Sequence, residues 1–238
     1  MSRALLKRLA KKMGYAISAY DPMRDPQAIK QSILKTFGIS VVLDVGANAG
    51  QYGSHLRATG YQGRTVSFEP LSSAYNLLVG LASQDPKWTA CRCALGERDG
   101  ASEIFVSRNS WSSSMLEILP QHTTAAPDSQ YVDKEVISIK TLDSLFDDHV
   151  SAGEGVFLKV DTQGYTKQVL SGAKRSIEKI RGVFVEMSLV PLYADEPLIG
   201  EVIAMLYERG FVLRAFEPVF IDRKKGHWLQ VNGLFARA

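Results

Sequence analysis

The sequence predicts an α/β protein: a mostly parallel sheet with helices on both faces. Three observations carry that prediction. Short apolar strands alternate with helix-period segments from residue 40 onward. The apolar run Val41–Leu43 passes through Asp44 into a glycine turn, Gly46-Ala47-Asn48-Ala49-Gly50, and from there into a helix. The last two strands are joined by Glu217–His227, too short for a helical crossover, so they should close one edge as an antiparallel hairpin.

A chain of 238 residues, 45% hydrophobic and 22% charged, has the composition of an ordinary globular protein and excludes disordered and collagen-like classes. We read a helical arm over residues 1–38 and a single domain over 39–238. The net charge of +3 is uneven. Residues 1–35 hold eight Lys/Arg against Asp21 and Asp25, a net +6, while the remaining 203 residues hold 20 basic and 23 acidic ones, a net −3. The basicity belongs to the arm and not to a domain face, which argues against nucleic acid as a partner. Cys91 and Cys93 stand two residues apart on one strand, where side chains share a face but the Cα atoms lie about 6.6 Å apart, at the far limit of disulfide reach, so they do not suit a disulfide. Reduced thiols, with no apolar run long enough for a span and no secretory leader in the first residues, predict a cytoplasmic protein. Homo-oligomerisation is compatible with the sequence.

Taken in order, Met1–Ile17 reads as a basic amphipathic helix. Leu5, Leu6, Leu9, Met13 and Ile17 recur at helical spacing among Arg3, Lys7, Arg8, Lys11 and Lys12. Such a helix suits peripheral contact with the inner face of an anionic membrane, or packing against the domain or a partner. Asp25-Pro26 opens a second helix that Gly38 ends. Strands are expected at Ser40–Val45, Thr65–Glu69, Thr89–Leu95, Gly155–Val160, Gly182–Glu186, Phe211–Phe216 and Leu229–Arg237. Helices are expected at Gln51–Thr59, Ser72–Ser83, Thr166–Ile180 and Pro197–Arg209. Between Leu95 and Gly155 the alternation stops. There Ala101–Ser107 and Glu135–Lys140 read as an inserted strand pair flanking an aperiodic stretch, Arg108 to Gln130, which we read as a lid.

The glycine turn is of the nucleotide-cofactor type. Gly46 and Gly50 permit close backbone approach, and the helix N-terminus beyond them presents free N–H groups. Asn48 stands where a dinucleotide fingerprint would need its second glycine. Glu69 closes the next strand 19 residues beyond Gly50, where a carboxylate can accept hydrogen bonds from both ribose hydroxyls. Acids at two strand ends and a turn without a pyrophosphate site suit an adenosyl group such as that of S-adenosylmethionine (SAM).

Further along, Asp161 and Glu186 each end an apolar strand at the carboxyl edge of the expected sheet. Two such carboxylates can bind Mg²⁺ and orient a diol, or hydrogen-bond the cofactor and substrate directly. Methyl transfer to an alcohol also needs a proton acceptor, for which Asp161 and, within the lid, His122 are the candidates. His55, His149 and His227 are less suggestively placed. The lid sequence Asn109-Ser110-Trp111-Ser112-Ser113-Ser114-Met115 joins an indole to clustered hydroxyls, the combination that recognises a sugar face. Tyr165, Tyr193 and Trp228 suit either the same mouth or packing.

Several segments together resemble the FkbM family of SAM-dependent O-methyltransferases. They are Asp44-Val-Gly-Ala-Asn-Ala-Gly, Phe68-Glu69-Pro70, Cys93-Ala94-Leu95-Gly96, Lys159-Val-Asp161-Thr-Gln163-Gly164-Tyr165, Val169-Leu170-Ser171-Gly172-Ala173 and Gln230-Val231-Asn232. The resemblance spans roughly Ser40 to Arg237. It implies the Rossmann-like class I methyltransferase fold with a seven-stranded sheet, and methylation of a hydroxyl on a sugar, glycolipid or polyketide-like small molecule. By position it implies that Asp44, Gly46, Asn48 and Gly50 surround the methionine moiety, Glu69 the ribose, and Cys93, Ala94 and Leu95 the adenine. Trp111, Ser113, Ser114, Gln163 and Tyr165 then fall to the acceptor. The sequence departs from the family pattern at Asn232, where Asp is usual, and at Thr166, where Glu is usual, so any role those acids serve in relatives does not transfer here. A nicotinamide-dependent oxidoreductase and an inactive cofactor-binding scaffold are the competing readings; Asn48 and the lack of a Tyr-x-x-x-Lys pair count against the first.

Overall fold

The computed structural model describes residues 3–238. Met1 and Ser2, the start of the amphipathic segment, lie outside the described residues. That segment forms α1, Arg3–Lys12, and ends five residues short of Ile17. Asp25 caps the next helix, α2, Pro26–Thr36, by accepting from Gln27 N, and proline stands at its first turn. Ile33 and Leu34 of α2 pack into a core with Val42, Phe157 and Leu234. The second helix of the arm is therefore built into the domain, because its apolar face covers one side of the sheet.

The central sheet has seven strands. In chain order they are β1 Ile39–Val45, β2 Arg64–Phe68, β3 Trp88–Cys91, β7 Gly155–Val160, β8 Ile180–Ser188, β9 Phe211–Asp222 and β10 His227–Arg237. Their spatial order is β3-β2-β1-β7-β8-β10-β9, with β10 antiparallel to both neighbours and the other pairings parallel. β1 and β7 read as apolar runs because helices cover both of their faces. The covering helices include α3 Gln51–Ala58, α4 Ser72–Ala82, α7 Thr166–Ser171 and α8 Ile199–Glu208. This is the strand order of the Rossmann-like methyltransferase fold, with the expected hairpin at one edge.

Two expectations fail for local reasons. The strand expected over Thr89–Leu95 is two strands in two sheets: β3 ends at Cys91, and β4, Ala94–Leu95, joins β5 Gly100–Ser107 and β6 Tyr131–Lys140 in the order β4-β6-β5. Cys91 is half-buried and Cys93 buried, both reduced. The helix expected over Thr166–Ile180 stops at Ser171. A Cβ on Gly172 would lie 1.9 Å from the carbonyl oxygen of Gly96, and the chain resumes only as a single 3-10 turn, Ser176–Lys179. The insertion also carries α6, Leu142–His149, which buries Leu142 and Phe146.

The lid is more ordered than an aperiodic stretch suggests. It contains α5, Pro120–Ala125, and its residue Ser114 bridges to Phe105 of β5 while Ile118 bridges to Tyr193. Leu119 N donates to Leu192 O at 2.8 Å, and Ala194 N to Glu117 O at 2.8 Å. These bonds stitch the lid to the segment that follows β8.

Candidate active site

The strand order reverses between β1 and β7, and a crevice opens there at the carboxyl ends of the strands. It contains a cavity of about 380 Å³, walled by the glycine turn, the end of β2, the β4 strand, the lid and the ends of β7 and β8. Gly46 makes this geometry. Its φ is +73°, and a Cβ there would stand 1.8 Å from the carbonyl oxygen of Asp161, so no larger residue lets the two strand ends meet.

Behind the cavity wall a polar row crosses the sheet. Asp44 on β1 is in register with Ser67 on β2 and Lys159 on β7, and in-register neighbours point to one face. Asp44 is fully buried. Its Oδ2 accepts from Ser67 Oγ at 3.0 Å, Ser67 in turn accepts from Trp88 Nε1, and Oδ1 lies 3.0 Å from Lys159 Nζ. Lys159 is buried as well; it donates to the carbonyl of Gly46 at 2.8 Å and stands 3.7 Å from Asp161 Oδ2. Burial lowers its affinity for a proton, but the carboxylates of Asp44 and Asp161 outweigh that and raise its pKa. Asp44 thus reaches the cavity through Lys159 and not by its own side chain. Sequence reading missed Lys159; its signal was a lone charge in the apolar strand Gly155–Val160.

Glu69 stands at the opposite edge of the glycine turn. Its two oxygens accept from Asn48 N at 2.8 Å and Leu71 N at 2.9 Å, which orients the carboxylate and leaves a lone pair on each oxygen for a ligand. Burial pushes this carboxyl up to about 7, against the pull of those two amides.

On the other side, Gln163 holds the two remaining acids together. Its Nε2 donates to Asp161 Oδ1 at 2.9 Å and to Glu186 Oε2 at 2.9 Å, while its Oε1 accepts from Tyr193 OH at 2.8 Å. Gln230 Nε2 also donates to Glu186 Oε2, at 2.9 Å, and Asn232 on β10 pairs across from Glu186. Burial and the Asp161 charge raise the Glu186 pKa well above the carboxylate range. The lid is tied into the same network, because Ser114 Oγ donates to the carbonyl of Gln163 at 2.7 Å and Tyr193 OH approaches Ser112 O. Across the cavity, Asn48 Nδ2 donates to Ser110 Oγ at 3.3 Å.

The structure brings Gly46, Asn48, Glu69, Ala94, Leu95, Trp111, Ser113, Ser114, Asp161, Gln163 and Glu186 to one cavity. Five expected site residues sit elsewhere. Asp44 is behind the wall. Gly50, at φ +88°, packs against Leu78 and Trp88 to bring α3 onto the sheet. Cys93 belongs to the main core and the partly buried Tyr165 packs against it, and burial drives the Cys93 thiol up to about 12, away from nucleophilic use. His122 is buried between the rings of Tyr193 and Phe220, at 5.1 Å from each, and that burial lowers its pKa to about 4. It is part of the packing that anchors the lid, not a base in the cavity.

A family model described as the methyltransferase FkbM domain matches residues 44–213. The chain belongs to the FkbM methyltransferase family. It is a SAM-dependent methyltransferase, which removes the oxidoreductase reading. A comparison with curated protein sequences found no significant match. Among solved structures, magnesium protoporphyrin IX methyltransferase from Synechocystis PCC 6803 with bound SAM is 8% identical, over 99% of this chain and 96% of that one, with a TM-score of 0.47. TrmK of M. capricolum in complex with S-adenosylhomocysteine is 6% identical, over 90% and 69%, with a TM-score of 0.47. An rRNA methylase from Streptococcus thermophilus is 9% identical, over 90% and 97%, with a TM-score of 0.45.

The site of this FkbM methyltransferase fits SAM better than it fits Mg²⁺. Glu69 offers free carboxylate lone pairs beside the apolar wall of Leu71, Ala94 and Leu95. Between Asp161 and Glu186, by contrast, the place a divalent ion would take is spanned by the Gln163 amide, with the Lys159 ammonium adjacent. The two acids already have hydrogen-bond donors and a cation, and among the described residues no group of three or more metal-ligating side chains exists.

Proposed function

We propose that the protein transfers the methyl group of SAM to a hydroxyl of a sugar, glycan or glycolipid acceptor, without a divalent metal. One observation carries the reading. A solvent-exposed indole, Trp111, and the carboxylate pair Asp161 and Glu186 line the same cavity, joined by serine hydroxyls of the lid. A sugar ring can stack on the indole while a hydroxyl reaches the acids.

Glu69 takes the ribose hydroxyls, the wall at Ala94 and Leu95 takes the adenine, and Gly46 with Asn48 takes the methionine end. When bound, SAM supplies a methyl group already activated by its sulfonium, so the chain must mainly align the acceptor and remove one proton. Asp161, with its side chain 39% exposed, receives that proton, while Gln163 fixes its orientation and Lys159 balances its charge. The confined cavity and the acidic domain favour a small or glycan acceptor over nucleic acid.

The test is transfer of labelled methyl from SAM to a panel of mono- and oligosaccharides, with Mg²⁺ and with EDTA, beside calorimetric titration of S-adenosylhomocysteine. Turnover on a sugar acceptor that survives EDTA is the expected result. Cofactor binding without transfer to any hydroxyl acceptor would overturn the O-methylation reading, and loss of turnover in EDTA would overturn its metal-free part.

A further inference from the structure

We propose that α1 docks the protein on an anionic lipid bilayer. In the folded chain α1 keeps its leucines outward: Leu6 is 41% exposed and Leu9 43%, and Met13, just past the helix, is 69% exposed. At about 100° per residue, Leu5, Leu9, Met13 and Leu6 fall within one arc of roughly 100°, while Lys7, Arg8, Lys11 and Lys12 take the rest of the helix circumference. The first 20 residues contain no Asp or Glu. Immediately beyond the helix, Tyr15, Ile17, Tyr20 and Met23 are exposed too.

An apolar stripe bordered on both sides by cations is the complement of a bilayer surface, where leucines enter the acyl boundary and ammonium groups meet anionic headgroups. A polyanion such as RNA would be met by the cations alone and would leave the leucines in water. The helix is about 15 Å long, enough to lie in the interface but not to cross it. No helix among the described residues is long and apolar enough to span a membrane.

The experiment is co-sedimentation of the full chain with vesicles of phosphatidylcholine alone and of phosphatidylcholine and phosphatidylglycerol in equal parts. Binding to the second kind only, weakened by salt, is expected. Lys7→Gln and Lys11→Gln should each lower the bound fraction's partition about fivefold. Leu6→Ser with Leu9→Ser should abolish binding even at low salt. S-adenosylhomocysteine titration of the same variants shows that the domain is folded, since α1 lies outside its cores, and its failure would concern the methyltransferase site alone. Equal binding to neutral vesicles, or leucine variants that bind lipid as before, would overturn the proposal. So would leucine-dependent self-association without lipid, or a competing affinity for polyuridylate that the leucine changes leave intact.

Discussion

Asp44 and Asp161 are neighbours of the same lysine, yet they live in opposite environments. Asp44 is sealed inside the sheet, where Ser67 and Lys159 satisfy it from the two adjacent strands. Asp161, one residue past the end of β7, faces the cavity and meets Lys159 at the longer distance of 3.7 Å. A carboxylate sealed between a hydroxyl and an ammonium organises structure; an open one with a single side-chain hydrogen-bond donor can still exchange a proton. One cation serves both sides, holding the glycine turn through the Gly46 carbonyl and lying beside the open acid.

The sharpest way to break this arrangement is Lys159→Met. It leaves Asp44 buried without its cation, and loss of one partner of a buried pair costs roughly 3–5 kcal/mol. Urea unfolding at neutral pH should show that loss, whereas Asp161→Asn should abolish methyl transfer and leave the urea midpoint nearly unchanged. Equal destabilisation by the two changes would erase the distinction. Gly46→Ala comes next, because the new Cβ must push the Asp161 backbone aside and the left-handed φ is itself strained. We expect ~2–3 kcal/mol lower stability and no measurable S-adenosylhomocysteine binding in calorimetry.

Glu69 gives a pH test. Burial holds its folded-state pKa at about 7, above the ordinary 4.5, so the native state binds the extra proton between those values. Its contribution to stability is present in full below 4.5 and is lost as pH rises to about 7. Cofactor binding should run the other way and strengthen as the pH rises through about 7, since the ionised carboxylate is the better acceptor for ribose hydroxyls. Glu69→Gln should flatten both profiles; unchanged profiles would remove Glu69 from the ligand's reach.

Trp111→Ala tests the acceptor side. With the indole 66% exposed, stability should hold while KM for a sugar acceptor rises by roughly tenfold at constant kcat. The smallest effect belongs to His122→Phe. At neutral pH this buried imidazole is already uncharged, so methyl transfer should be retained. Stability below pH 6.5 should improve relative to the parent, because the unfolded chain no longer gains a proton that the folded one refuses until about pH 4. A collapse of kcat in this variant would return His122 to the chemistry.

Much of the cofactor half is legible in the sequence because it is local. The run from Val41 to Gly50 and the spacing to Glu69 encode strand, turn, helix and acid within one βαβ unit. The opposite side of the cavity is legible only as a list of residue types. Trp111, Gln163 and Glu186 reach one cavity through contacts that join the lid, the end of β7 and β8, and no spacing rule links them. His122 misled because a loop histidine looks solvated until the ring partners Tyr193 and Phe220 are known.

By itself the sequence determined the alternating strands and helices, the glycine turn, the edge hairpin and the basic arm, since each follows from hydrophobic period, backbone chemistry or charge over short distances. The tertiary structure decided what pairs with Lys159, where the Cys91–Leu95 run breaks between two sheets, and that Gln163 sits where a metal ion would have bridged two acids. Those are matters of how strands distant in sequence are set side by side, from 23 residues apart for Gln163 and Glu186 to more than a hundred for Asp44 and Lys159, and register is set by how the whole sheet packs its core.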